Sequence, residues 1–332
     1  MDTPTANLGF WSKLKKPFFV LAPMADVTDC AFRRIIAEHG SPDVFWTEFV
    51  SADGLASPGR KVLLKDLEFT EAEHPIVAQL FTSKPDKMRE AAKLCQELGF
   101  DGIDINMGCP DRSIEKQGAG AAMIKDPKTA RAVIRAAKEG APDLPVSVKT
   151  RIGYNKNEIA TWIPEILAEK PAALTIHCRT RKEMSLVPAR WEHVREAAAL
   201  RDRLSPETLV IGNGDARDIE DARAKAREFG ADGVMLGRAI FGNPWLFTSL
   251  GRNGGEQTVP TIEEKLKVMV EHTRLFEKLL GGIKSFAVMK KHYKAYVNGF
   301  DGAKEFRMEL MECENASEVA AKVEAFLTKT KV

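Results

Sequence analysis

The chain has 332 residues, 44% of them apolar, and a formal net charge of +2 from 49 basic and 47 acidic side chains. That length holds one large domain with a smaller one attached, and the balanced charge excludes the global field of a polyanion binder, so any basic patch must be local. Five cysteines, Cys30, Cys95, Cys109, Cys178 and Cys313, are scattered without a close pair, which argues against zinc and for a reducing, cytoplasmic setting.

Lys13, Lys15 and Lys16 precede the first apolar run, but PFFVLAPMA contains two prolines and leads into Asp26, so it reads as a buried strand rather than a signal peptide. After FFVLAPMA (18–25) come VFWTEFVS (44–51), PIVAQLFT (75–82), GIDINMG (102–108), VSVKTRIG (146–153), ALTIHCRT (173–180), TLVIGNGD (208–215) and GVMLGRAI (233–240). None approaches the ~20 residues that cross a bilayer, so no membrane span is expected. Between most of them lie helix signals, such as Asp126-Pro127 before KTARAVIRAAKEG and Asp218 before IEDARAKAREFG. This alternation predicts an α/β fold, a (β/α)8 TIM barrel. A doubly wound sheet would want G-x-G-x-x-G after its first strand, where this chain has Ala22-Pro23-Met24-Ala25. Beyond Pro244 the strand signals stop. IEEKLKVMVEHTRLFEKLL, FAVMKKHYKAYV and a stretch from Ser317 to Lys329 predict an all-helical C-terminal domain. The expected division is a catalytic barrel over 1–250 and a helical domain over 261–332, joined through RNGGEQTVPT (252–261).

A barrel of this kind carries its active site at the carboxyl ends of the strands. Met24, Glu48, Gln79, Asn106, Lys149, Arg151, His177, Arg179, Asn213, Asp215 and Arg238 lie there. Alternation puts Lys149 with Arg151 and His177 with Arg179, and turns Cys178 away from them. The glycines of GNGD (212–215) and GRAIFGNPW (237–245) suit a phosphate site after strands 7 and 8. A lysine pointing into such a pocket could form a Schiff base, hold a carboxylate or stabilise a reduced flavin ring, and Gln79 and Asn106 suit either a flavin or a pyrimidine edge. Spacing alone does not choose.

LAPMADVTDCAFRR, VAQLF, INMGCP with KQGAGA, VKTRIG, IHCRTR, IGNGD and MLGRAIFGNPW resemble, in order, the motifs of the tRNA-dihydrouridine synthases. The resemblance implies an FMN enzyme that uses NADPH to reduce the C5–C6 double bond of selected tRNA uridines. It further implies FMN contacts from Pro23, Met24, Ala25, Gln79, Lys149, His177, Asn213, Gly214, Asp215, Gly237 and Arg238, with Cys109 as the catalytic acid. A free thiol is protonated at neutral pH yet gives up its proton readily, which fits that role, and NMGCPDRS supplies no histidine to make it a nucleophile. Two departures stand out: Cys178 and Asp26 occupy positions where many relatives carry glycine.

Between 278 and 307 the tail carries Lys278, Lys284, Lys290, Lys291, Lys294, Lys304 and Arg307 against Asp301 and Glu305, with Tyr293 and Tyr296 interleaved. Such an excess is the expected RNA footprint. Lys284, Lys290, Lys291, Lys294 and Arg307, with Asn106, Arg151 and Arg179 at the barrel mouth, are the expected substrate contacts. The expected partner is tRNA, with no metal, and a monomeric chain. The alternatives are an FMN barrel acting on a free pyrimidine and a non-catalytic RNA-binding protein.

Overall fold

The computed structural model describes residues 6–250 and 260–330. Most of the expected connection at 252–261 lies outside the described residues, as do positions 1–5 and 331–332 of the expected domains. The eight apolar runs form eight parallel strands. They are β1 (Phe18–Leu21), β2 (Phe45–Ser51), β3 (Ile76–Phe81), β4 (Gly102–Met107), β5 (Val146–Arg151), β6 (Ala173–His177), β7 (Leu209–Asn213) and β8 (Gly233–Leu236). The sheet runs from β1 through β8 and back down to β2. Its two edges meet where the Asp43 N–H donates to the Phe19 carbonyl at 2.8 Å and the Leu21 N–H to the Val44 carbonyl at 3.2 Å. The fold is the expected TIM barrel.

Several strands end earlier than the apolar runs suggest. The residues after β8 wind into a short 3-10 turn at Arg238–Ile240, and those after β1 leave the sheet at Ala22. Each of these ends is where backbone turns outward to form the rim of the site.

The crossovers carry α1 (Cys30–His39), α2 (Arg60–Asp66), α3 (Pro85–Glu97), α4 (Pro127–Gly140), α5 (Ile159–Leu167), α6 (Glu192–Leu204) and α7 (Ile219–Phe229). The expected caps form: Asp126 accepts the Thr129 N–H, and Asp218 the Asp221 N–H. Gly230 closes α7 in the left-handed region at φ 72°, which glycine adopts without a Cβ penalty. The amino end of the barrel is plugged by Trp11, whose ring lies 5.7 Å from that of Trp46.

Four helices follow: α8 (Ile262–Leu280), α9 (Ala287–Tyr296), α10 (Ala303–Met311) and α11 (Ala316–Thr330). α8 buries Leu266, Met269, Thr273, Phe276 and Leu280, a helical stripe at steps of three and four. Where α8 and α9 meet the barrel, His272 stacks on Phe32 of α1 at 4.7 Å, and the two histidine rings His272 and His292 lie 4.6 Å apart. Both are fully buried, and neither His292 nitrogen has a hydrogen-bond partner among the described residues.

Burial therefore pushes His272 well below its ordinary value, and His292 down to about 3. In the unfolded chain both imidazoles take up protons near pH 6.5; in the fold they stay neutral, so stability falls as pH drops below that point. Replacing His292 by Leu is expected to shrink the loss of Tm between about pH 7.5 and about pH 5, measured by calorimetry. An undiminished loss would assign the acid sensitivity to other groups.

Candidate active site

One cavity of about 280 Å³ opens at the carboxyl ends of the strands. Pro23, Met24, Gln79, Lys149, His177, Asn213, Gly214, Asp215, Gly237 and Arg238 line it, together with Cys109, Asn106, Arg151 and Arg179. Ala25 does not. It lies in the turn that the Val27 and Thr28 N–H groups close onto the Met24 carbonyl.

The wall formed by β3, β4 and β5 is a chain of buried polar groups. Ser147 Oγ donates to Asp104 Oδ1 and Gln79 Nε2 to Asp104 Oδ2, both at 2.6 Å, while Asn106 Nδ2 donates to Gln79 Oε1 at 2.9 Å. Asn106 Oδ1 then accepts the N–H groups of Gly108 at 3.1 Å and Cys109 at 2.9 Å. Arg151 holds the same loop from the other side, donating from Nε to the Gly108 carbonyl at 2.7 Å. Cys109 is half-buried, and its burial raises the thiol above its ordinary value despite an opposing hydrogen bond at Asp111 and the nearby charges of Arg151 and Lys149.

Cations crowd the ends of β5 and β6, beside that chain of polar groups. Burial, reinforced by Arg151, lowers Lys149 to about 8; burial, reinforced by Arg179, lowers Arg151 to about 10. Among the described residues the Lys149 ammonium has no hydrogen-bond or ion-pair partner. His177 is pushed well below its ordinary value by burial and by Arg151 and Lys149, so it is neutral. Arg179 Nη1, a donor only, lies 3.1 Å from His177 Nε2, which leaves the imidazole proton on Nδ1. Arg179 also reaches Asp215 at 2.5 Å, and Arg238 pairs with the second Asp215 oxygen. Against burial, the Arg179 hydrogen bond keeps the Asp215 carboxyl below its ordinary value.

The glycines after β7 divide between two jobs. A Cβ on Gly212 would come within 2.2 Å of the Trp191 ring, so this glycine makes room for a packed indole. Gly214 has φ 129° and Asp215 φ 53°. Among the described residues, the backbone N–H groups of Gly214, Asp215 and Ala216 have no partner, leaving donors of the kind that gather around an anion.

Glu48, expected among the strand-end residues of the site, does not line the cavity; Phe49 does. The β2–β3 register shifts between Trp46 and Phe49; this irregularity turns Phe49 inward and Glu48 toward the helical tail. Lys284 Nζ lies 2.7 Å from Glu48 and 3.1 Å from Asp66, with Asp26 at 3.7 Å. Asp26, at φ 53°, donates its N–H to Glu48 at 2.5 Å. That positive φ is a conformation glycine adopts freely. Ser185, Pro110, Met235 and Ala216 also line the cavity without having been expected. Alternation on β8 could have found Met235, whereas no sequence signal marks Ser185.

The five expected tail cations do not share one surface. Lys284 is committed to Glu48 and Asp66, Lys290 donates to the Met311 carbonyl at 2.5 Å, and Arg307 donates to the Val297 carbonyl at 2.7 Å. Lys291, 3.6 Å from Asp26, and Lys294 are exposed on α9. Tyr293 and Tyr296 belong to the core, at 0% and 1% exposure. Cys178 is buried away from the cavity, as alternation predicts.

A closed (β/α)8 barrel with convergent cations, amides and a thiol at its strand ends is an enzyme architecture of the TIM-barrel class. Solved TIM-barrel structures share the fold. Histamine dehydrogenase from Rhizobium sp. 4-9 matches with a TM-score of 0.51 at 13% identity, over 77% of this chain and 48% of that one. A variant of NCR from Zymomonas mobilis matches with a TM-score of 0.50 at 16% identity, over 79% of this chain and 96% of that one. The family model for dihydrouridine synthase matches residues 20–331. The chain is similar to the probable tRNA-dihydrouridine synthase of Staphylococcus aureus (strain N315), 41% identical over 96% of this chain and 95% of that one. It is similarly related to the probable tRNA-dihydrouridine synthase 2 of Bacillus subtilis (strain 168), 41% identical over 96% of this chain and 97% of that one. The chain belongs to the dihydrouridine synthase family.

Glu48 is 4% exposed, and burial raises its carboxyl to about 7 even with Lys284 beside it. Replacing Lys284 by Met removes one partner of a buried pair and is expected to destabilise the protein by about 3 kcal/mol, read by urea unfolding. Native stability combined with weakened RNA binding would instead return Lys284 to the phosphate-contact role.

Proposed function

We propose that this enzyme reduces the C5–C6 double bond of uridines in tRNA, with FMN as its cofactor and NADPH as electron donor, and with Cys109 protonating C5. The observation that carries the reading is the shared cavity: a thiol kept protonated by burial and an unpartnered, half-buried lysine, Lys149, open into the same space. The named relatives extend it to tRNA.

The residues fit a flavin mononucleotide by their donor chemistry. The free N–H groups of Gly214, Asp215 and Ala216, with Arg238 alongside, suit a phosphate. The Lys149 ammonium suits the ring edge that gains negative charge on reduction, and Pro23, Met24, Gln79, His177, Asn213 and Gly237 would complete the contacts. Ala25 would act through the turn rather than by lining the site. When bound, FMN supplies the hydride.

Cys109 holds the proton that C5 needs. Asn106 and Arg151 fix its loop, so the thiol is oriented before substrate arrives. His177, neutral with its proton on Nδ1, donates a hydrogen bond without adding charge to an already cationic wall. A uridine inside folded RNA must be extruded to reach this depth. The barrel would be the catalytic domain and the helical tail the RNA-binding one, with exposed Lys278, Lys291, Lys294 and Lys304 as its phosphate contacts and Arg179 near the mouth.

The test is mass spectrometry of tRNA from cells lacking this gene, complemented with wild type or with Cys109→Ala. Wild type should restore dihydrouridine and Cys109→Ala should lose about 100-fold or more in turnover. Equal restoration by Cys109→Ala would refute the acid role. Turnover of free pyrimidines without RNA would overturn the substrate. Purified protein lacking a flavin absorption band under all loading conditions would overturn the cofactor.

A further inference from the structure

Asp104 is fully buried in the barrel wall, two residues before Asn106 on β4, and does not line the cavity. The role proposed for the site makes no use of it. Its position becomes meaningful when the hydrogen bonds are followed from the Cys109 end. A backbone N–H only donates, and two of them, from Gly108 and Cys109, converge on one Asn106 side-chain atom. That atom must be the amide oxygen.

Asn106 Nδ2 therefore faces Gln79, and Gln79 must answer with its oxygen, at 2.9 Å. Gln79 Nε2 is left facing residue 104, at 2.6 Å. Only an acceptor can stand there, and the carboxylate provides one, while its other oxygen accepts from Ser147 Oγ at 2.6 Å. The polarity of the whole wall is thus forced by an acceptor at one end and two backbone donors at the other. If Gln79 reversed, its NH2 would meet the Asn106 NH2. Asn106 would then have to turn its own NH2 toward the Cys109 loop, where two donors already point.

We infer that Asp104 is a positioning residue for Cys109, acting through Gln79 and Asn106 to hold the loop that carries the thiol. The inference rests on the proposed acid role only for its consequence in turnover; the loop itself can be read directly.

A donor–acceptor swap tests it. Gln79→Glu replaces the donor facing Asp104 by an oxygen; exchange is compared at about pH 9, above the range in which two close carboxyls share one proton, so that two carboxylates confront each other and the relay is broken. Adding Asp104→Asn restores it with the direction of that one bond reversed. The amide nitrogen introduced at position 104 donates to the carboxylate introduced at position 79, and the amide oxygen beside it still accepts from Ser147. The carboxylate at position 79 still accepts from Asn106. The measurement is amide hydrogen exchange by mass spectrometry on the peptide containing Gly108 and Cys109, in the full-length protein.

Gln79→Glu is expected to speed exchange there by ~10-fold or more, and the double variant to return within ~2-fold of wild type. Wild-type protection in Gln79→Glu, or a double variant as unprotected as the single one, would overturn the inference. Should Gln79→Glu fail to fold, recovery of cooperative unfolding and protection in the double variant carries the same support, and failure to recover overturns it. Because exchange reports the loop and not the chemistry, a failed acid role for Cys109 would show in the Cys109→Ala complementation and leave this result standing.

Discussion

Positive charge gathered out of water is the constraint around which this site is built. Lys149, Arg151 and Arg179 meet at the ends of β5 and β6, Arg151 and Arg179 buried and Lys149 half-buried, while Arg238 stands exposed at the rim after β8. The result is visible in each group: Lys149 is lowered to about 8, Arg151 to about 10, and His177 is held neutral. Asp215 relieves only the outer pair, Arg179 and Arg238. Lys149 has instead the more distant Asp104, whose own carboxyl burial raises to about 6 against the hydrogen bonds of Ser147 and Gln79. An anionic ligand entering this cavity would lower the energy of every cation that lines it. A neutral one would leave the repulsion in place.

The same balance of burial against charge keeps the Cys109 thiol protonated, which suits the acid role proposed for it and not that of a nucleophile. Nearby Arg151 and Lys149 favour the thiolate, yet burial outweighs them and the thiol stays protonated. A thiolate would need a base or a stronger local field. The loop is held instead for direction, by Asn106 from below and Arg151 from the side.

Much of this could be read in the sequence because it depends on period and chain order. Eight apolar runs separated by helix signals specify a parallel barrel, and a barrel specifies which end carries the site. Alternation correctly grouped Lys149 with Arg151 and His177 with Arg179, and turned Cys178 outward. Position at a strand end misplaced Glu48, because one shift of register reverses every later face. The tail was harder. A run of lysines looks the same in sequence whether its members face solvent or cap carbonyls, and only packing showed that Lys284, Lys290 and Arg307 have internal partners. Tyr293 and Tyr296 likewise fall on the buried face of α9.

The irregularity in β2 has a structural consequence beyond the misread face. Had Glu48 followed the alternation, it would have entered the cavity and offset the cations there. Turned outward, it meets Lys284 from the segment between α8 and α9, while Asp26 from the loop after β1 approaches both Lys284 and Lys291. The loop carrying Met24, which lines the cavity, is thereby tied within two residues to the helical tail. Lys284 of the tail and the Asp26 N–H at the rim of the site share one buried carboxylate, Glu48. If the tail engages RNA through Lys291, the Asp26 contact is the one that must compete with phosphate, and the position of Asp26 beside Met24 makes that competition felt at the cavity edge. Asp26 is thus part of the joint between the barrel rim and the helical tail.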